Sequence, residues 1–277
     1  GCGREREFTI SPAEKPKNVV VVGGGPGGLE ATWVLAERGH RVTLFEEDAR
    51  LGGEFVVAAH TPRKEELSDS LRWQIREVRK AGANVRLGER ATAEKVLELN
   101  PDAVVIATGS RPIVPRLAGL EPEKAMVARD VLMGRVMSGR RVLVAGGGGV
   151  GLLTAEHLGL MDKEITIVEM ADAVGTDVTP DRRYWVLSEL AEHDVGVLTN
   201  ATIEGVSDGR VRVAHAGHEE TIGPFDDIVL ALGYQSDASL ARELEGRVPE
   251  LYVIGDAVEP RSAVEAIREG AEVGRRI

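Results

Sequence analysis

The chain has 277 residues, of which 43% are hydrophobic and 29% are charged, so a folded protein of roughly two domains is expected. Its formal net charge of −11 argues against a nucleic-acid partner and against an anionic membrane surface, because both would repel it. No apolar run approaches the ~20 residues of a transmembrane helix, and the first residues lack the basic start and apolar core of a signal peptide. A cytoplasmic location is therefore expected.

Residues 1–17 are polar and contain two prolines, which is typical of a linker. The single cysteine of the chain, Cys2, lies in this segment, so neither a disulfide framework nor a redox pair is expected. An incidental thiol is favoured over a catalytic one. The sequence does not begin with methionine, and we expect it to be part of a longer protein.

The first regular elements form a strand–turn–helix–strand unit. The β-branched run Val19–Val22 predicts a strand buried on both faces of a parallel sheet. A helix is predicted from about Gly28 to Arg38, ending at Gly39, and a second strand from Val42 to Phe45. Such a βαβ unit predicts a Rossmann-like dinucleotide-binding domain.

The turn "GGGPGG" of this unit has the spacing of a pyrophosphate site. Gly23 permits the tight turn, Gly25 lets the backbone approach the phosphates next to Pro26, and Gly28 allows helix and strand to pack closely. The helix N-terminus favours the anion. Glu46, 23 residues after Gly23, is predicted to accept hydrogen bonds from the adenosine ribose.

The whole unit is repeated later in the chain. The glycines of "GGGGVG" and the acid that ends "EITIVE" follow their counterparts by 123 positions, and these residues are Gly146, Gly148, Gly151 and Glu169. Further on, "DDIVLALG" matches "DAVVIATG" with an offset of 124. The repeat therefore spans a domain and predicts a second dinucleotide site.

The second copy also predicts which nicotinamide cofactor is used. Glu169 and Asp172 are acidic, and no basic residue occurs after Glu169 before Arg182. A basic side chain there would accommodate a 2′-phosphate, whereas a carboxylate would repel it. NADH is therefore favoured over NADPH.

Other glycine turns supply further candidates. Gly53 in "LGGEF" is predicted to bring the backbone close to the cofactor of the first turn. The turns "ATGSRP" and "ALGYQS" are predicted to form the hinge where the chain crosses between domains, and they add Thr108, Gly109 and Gly233 to the cofactor-binding candidates.

Near the end of the chain, a strand from Leu251 to Ile254 is followed by Gly255 and Asp256, and a helix is predicted from about Ser262. Asp256 is interpreted either as a turn or cap residue or, beside the first turn, as a ligand of the ribityl chain of a flavin.

These motifs in this order resemble the flavoproteins with two dinucleotide-binding domains. The segments "GCGRERE", "RVTLFEEDARLGGEF", "TPRKEELSDSLRW" and "IGDAVEPRSAVEAIREG" are similar to the C-terminal part of the large NADH:flavin oxidoreductases of the old yellow enzyme class. That family includes 2,4-dienoyl-CoA reductase, enoate reductase, trimethylamine dehydrogenase and related N-demethylases. The resemblance covers nearly the whole chain.

The resemblance implies partners outside this sequence. In the family an N-terminal barrel carries FMN and the substrate, and a cysteine cluster holding a 4Fe–4S centre precedes the module seen here. Cys2 does not match the last cluster cysteine, so both barrel and cluster are expected to lie outside the chain. Dienoyl-CoA-reductase-like members take hydride from a nicotinamide, whereas trimethylamine-dehydrogenase-like members keep a structural ADP in the first site. The intact second turn favours the first branch.

We therefore expect an α/β fold with two Rossmann-like domains. A FAD-binding domain of residues 18–112 and 225–277 is predicted to contain an inserted NAD-binding domain of residues 113–224. The expected activity is an oxidoreductase that passes electrons from NADH through FAD toward an iron–sulfur and FMN barrel, which acts on an enoyl compound or an N-methyl amine. No catalytic side chain and no metal ligand are nominated, because hydride transfer between the cofactors needs no protein acid or base. The alternatives are an amine-dehydrogenase-like module with structural ADP and a non-enzymatic nucleotide-binding module.

Overall fold

The computed structural model describes residues 9–61, 64–121 and 125–277. Cys2 and the two residues Pro62 and Arg63 of the "TPRKEELSDSLRW" segment lie outside these ranges. The strands are β1 (Asn18–Val22), β2 (Arg41–Glu46), β3 (Asn84–Leu87), β4 (Ala103–Ile106), β5 (Ser110–Pro112), β6 (Met126–Val127), β7 (Arg141–Ala145), β8 (Glu164–Val168), β9 (Gly196–Leu198), β10 (Ala201–Ser207), β11 (Arg210–His215), β12 (His218–Ile222), β13 (Asp227–Leu230), β14 (Tyr234–Ser236) and β15 (Glu250–Val253). The helices are α1 (Pro26–Glu37), α2 (Glu54–Ala59), α3 (Glu65–Lys80), α4 (Ala93–Glu98), α5 (Ala128–Leu132), α6 (Gly149–Gly159), α7 (Pro180–Glu192), α8 (Ser239–Leu244) and α9 (Ala263–Arg276).

The chain forms two compact units. The first comprises the described residues 9–59, 64–111 and 235–277, and the second comprises 60–61, 112–121 and 125–234. The chain passes from one unit to the other at β5 and again at β14, and these two short strands are hydrogen-bonded to each other. The predicted α/β class with two Rossmann-like units is confirmed.

The first unit is built on a five-stranded sheet in the order β15-β4-β1-β2-β3, and all neighbouring pairs are parallel. Its central strand, β1, contains the β-branched run Val19–Val22 and is buried on both faces. Val19 and Val21 pack into a core with residues of α1 on one face, whereas Val20 and Val22 pack with α4 and α8 on the other. All four side chains are 6% exposed or less, so neither face of the strand tolerates a polar residue.

The second unit repeats this arrangement in a five-stranded parallel sheet with the order β6-β13-β7-β8-β9. The pair β7 and β8 with α6 between them corresponds to β1, α1 and β2 in the first unit. This unit also contains an antiparallel sheet of β10, β11 and β12, which was not predicted from the sequence.

One predicted boundary is wrong. The domain boundaries predicted from the sequence place residues 225–234 in the first domain. In the structure, β13 pairs in parallel with β7 and with β6 of the second unit. The reason is the repeat itself: β13 is the counterpart of β4, and each copy keeps this strand in its own sheet. The second crossing therefore falls at Tyr234 and Gln235.

Several predicted element ends are confirmed. Helix α1 ends at Glu37 and is followed by Gly39, whose φ of 93° is the left-handed conformation expected after a helix. Helix α9 begins after Ser262, whose hydroxyl accepts a hydrogen bond from the amide of Val264 at 3.2 Å. Within the described ranges, no helix combines the length and the apolar character that crossing a bilayer requires.

His40 makes the stability of the first unit dependent on pH. Its side chain is buried, and its Nδ1 accepts a hydrogen bond from the backbone amide of Lys17 at 3.1 Å, so the ring is held neutral. Burial lowers the pKa of His40, and the charges of Arg38 and Lys17 lower it further. Since the unfolded chain then binds more protons, the stabilisation is complete above the unfolded pKa of 6.5 and is lost as the pH falls below it.

We expect the free energy of unfolding to decrease as the pH is lowered from about 7 to about 5, and to decrease less in His40→Asn. The Asn Oδ1 can replace Nδ1 as acceptor but does not titrate. Denaturant unfolding at several pH values measures both curves, with the exposed His218→Asn as the control. An identical pH dependence in wild type and His40→Asn would contradict the assignment.

Candidate functional site

The first glycine turn connects β1 to α1 and leaves no room for side chains at two of its glycines. Gly23 has a φ of 105°, and a Cβ on it would lie 2.2 Å from the carbonyl oxygen of Ala107. A Cβ on Gly28 would lie 1.9 Å from the carbonyl oxygen of Gly23. Both distances are far below van der Waals contact, so these two glycines let the helix, the turn and the end of β4 pack together.

Gly25 is different, because it faces open space. It is the N-cap of α1, no side chain caps the helix there, and no atom lies within 4 Å of the position of a Cβ. Pro26 occupies the first helical position, where its missing N–H costs nothing. An uncapped helix N-terminus beside open space fits the pyrophosphate of a dinucleotide, because its free amides and the helix dipole attract an anion.

Glu46 ends β2 and supports the turn. It is 7% exposed, and its carboxylate accepts hydrogen bonds from the amides of Gly24 and Asp48, both at 2.7 Å. Burial raises the pKa of Glu46, and the two amide hydrogen bonds oppose that shift. The carboxylate thus holds the turn in place through these two amides. The predicted contact of Glu46 with a ribose stays a prediction.

The segment after β2 returns to the same turn. The amide of Gly52 donates to the carbonyl oxygen of Gly24 at 2.8 Å, and a Cβ on Gly53 would lie 3.2 Å from Cα of Gly25. This backbone therefore packs against the first turn, and its predicted approach to the cofactor stays a prediction. Just after β4, the hydroxyl of Thr108 donates a hydrogen bond to the carbonyl oxygen of Asp237. The backbone amide of Asp237 in turn donates one to the carbonyl oxygen of Gly109.

The terminal Gly-Asp pair also lies beside the first turn. Ala266 on α9 is the link: a Cβ on Gly27 would lie 2.9 Å from its carbonyl oxygen, and a Cβ on Gly255 would lie 3.2 Å from its Cβ. The carboxylate of Asp256 accepts from the hydroxyl of Ser110 at 3.2 Å and from the amide of Arg261 at 3.1 Å. Asp256 thus accepts hydrogen bonds from its neighbours after β15, and Ala266 lies close both to Gly255 and to Gly27 of the first glycine motif.

The second turn reproduces the first in detail. Gly146 has a φ of 102°, and a Cβ on it would lie 2.4 Å from the carbonyl oxygen of Ala231. A Cβ on Gly151 would lie 1.9 Å from the carbonyl oxygen of Gly146, the same distance as in the first copy. Glu169 accepts from the amide of Gly147 at 2.5 Å and from that of Ala171 at 2.8 Å, as Glu46 does from Gly24 and Asp48.

A cavity of about 450 Å³ opens over this second turn, within the range of small-molecule and cofactor sites. Its walls include the glycine turn with Gly148 at the N-cap of α6, and also Glu169, Thr202, Leu232 and Gly233. Of the residues predicted for the second site, Gly146, Gly148, Glu169 and Gly233 line this cavity, whereas Gly151 packs against the backbone of Gly146.

The first two basic residues after Glu169 have other hydrogen-bond partners. Arg182 donates to the buried carboxylate of Glu156 at 2.8 Å, and Arg183 donates to the carbonyl oxygen of Val174 at 2.7 Å.

Asp177 is a residue of this site that sequence reasoning missed. Its carboxylate accepts from the amide of Gly149 with both oxygens, at 2.9 and 3.0 Å, and it lines the cavity. The available signal was the repeat, because Asp177 follows Glu54 by the same 123 positions.

The fold and the two turns define the class: a module with two dinucleotide-binding units in one chain. Residues 17–270 match the family model described as pyridine nucleotide-disulphide oxidoreductase, and the chain belongs to that family. The given sequence contains a single cysteine, Cys2, and therefore holds no cysteine pair.

Two relatives and one solved structure are similar to nearly the whole chain. A metal reductase of Desulforamulus reducens is 33% identical, with 97% of this chain and 45% of the relative covered. An NADH oxidase of Thermoanaerobacter brockii is 36% identical, with 100% of this chain and 43% of the relative covered. The structure of a 2-naphthoyl-CoA reductase is 33% identical, with a TM-score of 0.91 and coverage of 98% of this chain and 41% of that one. The resemblance to large NADH:flavin oxidoreductases is confirmed, and the chain spans less than half the length of these relatives.

Proposed function

We propose that this chain is the part of a larger reductase that accepts hydride from NADH and stores the electrons on FAD. One observation carries the proposal: the second glycine turn repeats the steric and hydrogen-bond geometry of the first, down to the acid at the strand end. Packing alone requires glycine at positions 146 and 151, so the support for a bound ligand comes from the cavity over this turn, which is lined by Gly148, Glu169 and Gly233. Two intact sites in one chain fit a donor and an acceptor.

The first unit is proposed to bind FAD, and the second unit is proposed to bind NADH. The residues proposed to hold FAD are Gly23, Gly25, Pro26, Gly28, Glu46, Gly53, Thr108, Gly109, Gly255 and Asp256. The residues proposed to hold NADH are Gly146, Gly148, Gly151, Glu169 and Gly233.

The roles of these residues are binding and orientation. The open N-cap at Gly25 receives the pyrophosphate, Glu46 holds the turn in shape, and Asp256 orients the terminal turn against it. The bound cofactors supply the chemistry, transfer of a hydride from the nicotinamide ring to the flavin ring, and this step needs no proton from a side chain. Accordingly, we assign no catalytic acid or base.

The remainder of the full-length protein is proposed to hold FMN in a substrate-binding barrel and a 4Fe–4S cluster that connects it to FAD. The support is the length of the relatives, of which this chain covers less than half, and the presence of a metal reductase and a 2-naphthoyl-CoA reductase among them. Within the residues that the structure describes, no group of three or more His, Cys, Asp or Glu side chains is arranged to hold a metal ion. A cytoplasmic location, which the single cysteine favours, is part of the same proposal.

An anaerobic titration tests the proposed function. The chain is purified, saturated with FAD and mixed with NADH, and the absorbance of oxidised flavin is expected to bleach in proportion to the NADH added. NADPH at the same concentration is the control and is expected to bleach the flavin more slowly, because Glu169 repels a 2′-phosphate. Flavin that binds but does not bleach would contradict the proposal, and a colourless protein that retains ADP would support the amine-dehydrogenase-like alternative.

A further inference from the structure

The second turn differs from the first at one place: a side chain of the protein occupies its helix N-terminus. The two carboxylate oxygens of Asp177 accept a hydrogen bond from the backbone amide of Gly149, the first residue of α6, at 2.9 and 3.0 Å. A Cβ on Gly148, the N-cap, would lie 3.2 Å from Oδ2 of Asp177. The carboxylate thus lies against the glycine whose counterpart, Gly25, has no atom within 4 Å of its Cβ position.

The first turn cannot make the same contact. Pro26 stands at the position of Gly149 and has no amide hydrogen, although an acid, Glu54, stands at the position of Asp177. The contact is therefore specific to the second unit and does not follow from the fold alone.

A carboxylate at this position competes with the phosphates of a dinucleotide. The amides at a helix N-terminus and the helix dipole bind one anion well, and the pyrophosphate of NADH would need the same donors. The negative charge of Asp177 would repel a pyrophosphate at Gly149, so this carboxylate has to move away before the phosphates reach the amide.

The side chain of Asp177 can move away from Gly149 without unfolding the loop between β8 and α7. The loop is anchored two residues earlier, where the amide of Gly175 donates to the carbonyl oxygen of Gly147 at 2.7 Å and Val174 is buried. Asp177 itself is exposed. Rotation of its side chain toward solvent therefore breaks only the contact with Gly149.

We propose that Asp177 is an intramolecular anion that occupies the phosphate position of the second turn and is displaced when the nicotinamide dinucleotide binds. Asp177 thereby sets the affinity of this site. The inference rests on the proposed function, since it assumes that the second turn binds a dinucleotide pyrophosphate.

The test compares three proteins saturated with FAD: wild type, Asp177→Asn and Asp162→Asn. The Asn at 177 keeps the shape of the side chain and loses its charge. Asp162 is an exposed acid just beyond the other end of α6, so its variant controls for the change in net charge. The probe is ADP-ribose, which carries the pyrophosphate but no nicotinamide, titrated by calorimetry, with inorganic pyrophosphate as a competitor. Thermal unfolding verifies that each variant is folded.

We expect Asp177→Asn to lower the Kd for ADP-ribose by about three- to tenfold, because a competing charge at a helix N-terminus is removed, and Asp162→Asn to leave it unchanged. Binding of ADP-ribose by Asp177→Asn but not by wild type would also support the proposal. An unchanged or higher Kd in Asp177→Asn overturns it and leaves the proposed function standing if NADH still bleaches the flavin. The absence of both ADP-ribose binding and bleaching in every variant overturns the two together.

Discussion

Gly28→Ala is expected to destabilise the chain by about 2–4 kcal/mol, whereas Gly25→Ala is expected to cost less than about 1 kcal/mol and still to remove FAD. The two glycines belong to the same turn but meet different surroundings. A Cβ at residue 28 would lie 1.9 Å from a backbone oxygen, which can move only if the turn is rebuilt. A Cβ at residue 25 meets no atom within 4 Å, and its φ of −74° suits alanine, so the methyl group fills only the space proposed for the pyrophosphate.

Urea unfolding and FAD titration measure the two effects separately. The matched control is the second turn, where Gly148→Ala is expected to retain FAD and to weaken dinucleotide binding at the other site. FAD binding that survives Gly25→Ala with wild-type affinity would show that the open space at this N-cap does not hold the phosphates. Equal losses of stability in Gly25→Ala and Gly28→Ala would show that both glycines serve packing alone.

Much of this fold was predictable because the information is local and occurs twice. The run Val19–Val22 predicts a strand whose two faces are both buried. The observed strand has buried side chains on both faces and begins one residue earlier, at Asn18. Gly39 and Ser262 mark a helix end and a helix start through the conformation and the hydroxyl that such ends need. The domain-scale repeat then places the second turn without any further signal.

The unpredicted features depend on contacts between distant segments. The placement of β13 in the second sheet follows from pairing with β7, which is more than 80 residues earlier in the chain. The contact of Asp177 with Gly149 spans 28 residues and depends on the anchor at Gly175, which no periodicity or turn signature reveals. Acids at helix N-termini are common, so their sequence position alone does not distinguish a cap from a competitor for phosphate.

Glu169→Arg is expected to change the ratio of kcat/KM for NADH to that for NADPH by about 30-fold or more. The substitution removes a carboxylate worth roughly 2 kcal/mol as a charged hydrogen-bond acceptor and adds a partner for the 2′-phosphate. Steady-state kinetics of flavin reduction by the two cofactors measures the ratio. Glu164→Arg, at the other end of β8 on the surface, makes the same change in charge and is expected to leave the ratio unaltered.

The ratio is the decisive readout because Glu169 has a second role in the structure. Its carboxylate accepts hydrogen bonds from the amides of Gly147 and Ala171. Loss of the carboxylate will therefore also disturb the second turn, at which NADH and NADPH would both bind. Disturbance of the turn raises KM for NADH and NADPH alike and cancels in the ratio, whereas recognition of the ribose 2′ position does not cancel. Glu169→Gln, which keeps one acceptor and loses the charge, is expected to fall between wild type and Glu169→Arg. A ratio that stays constant across all three proteins would restrict Glu169 to supporting the turn and would remove the basis for preferring NADH.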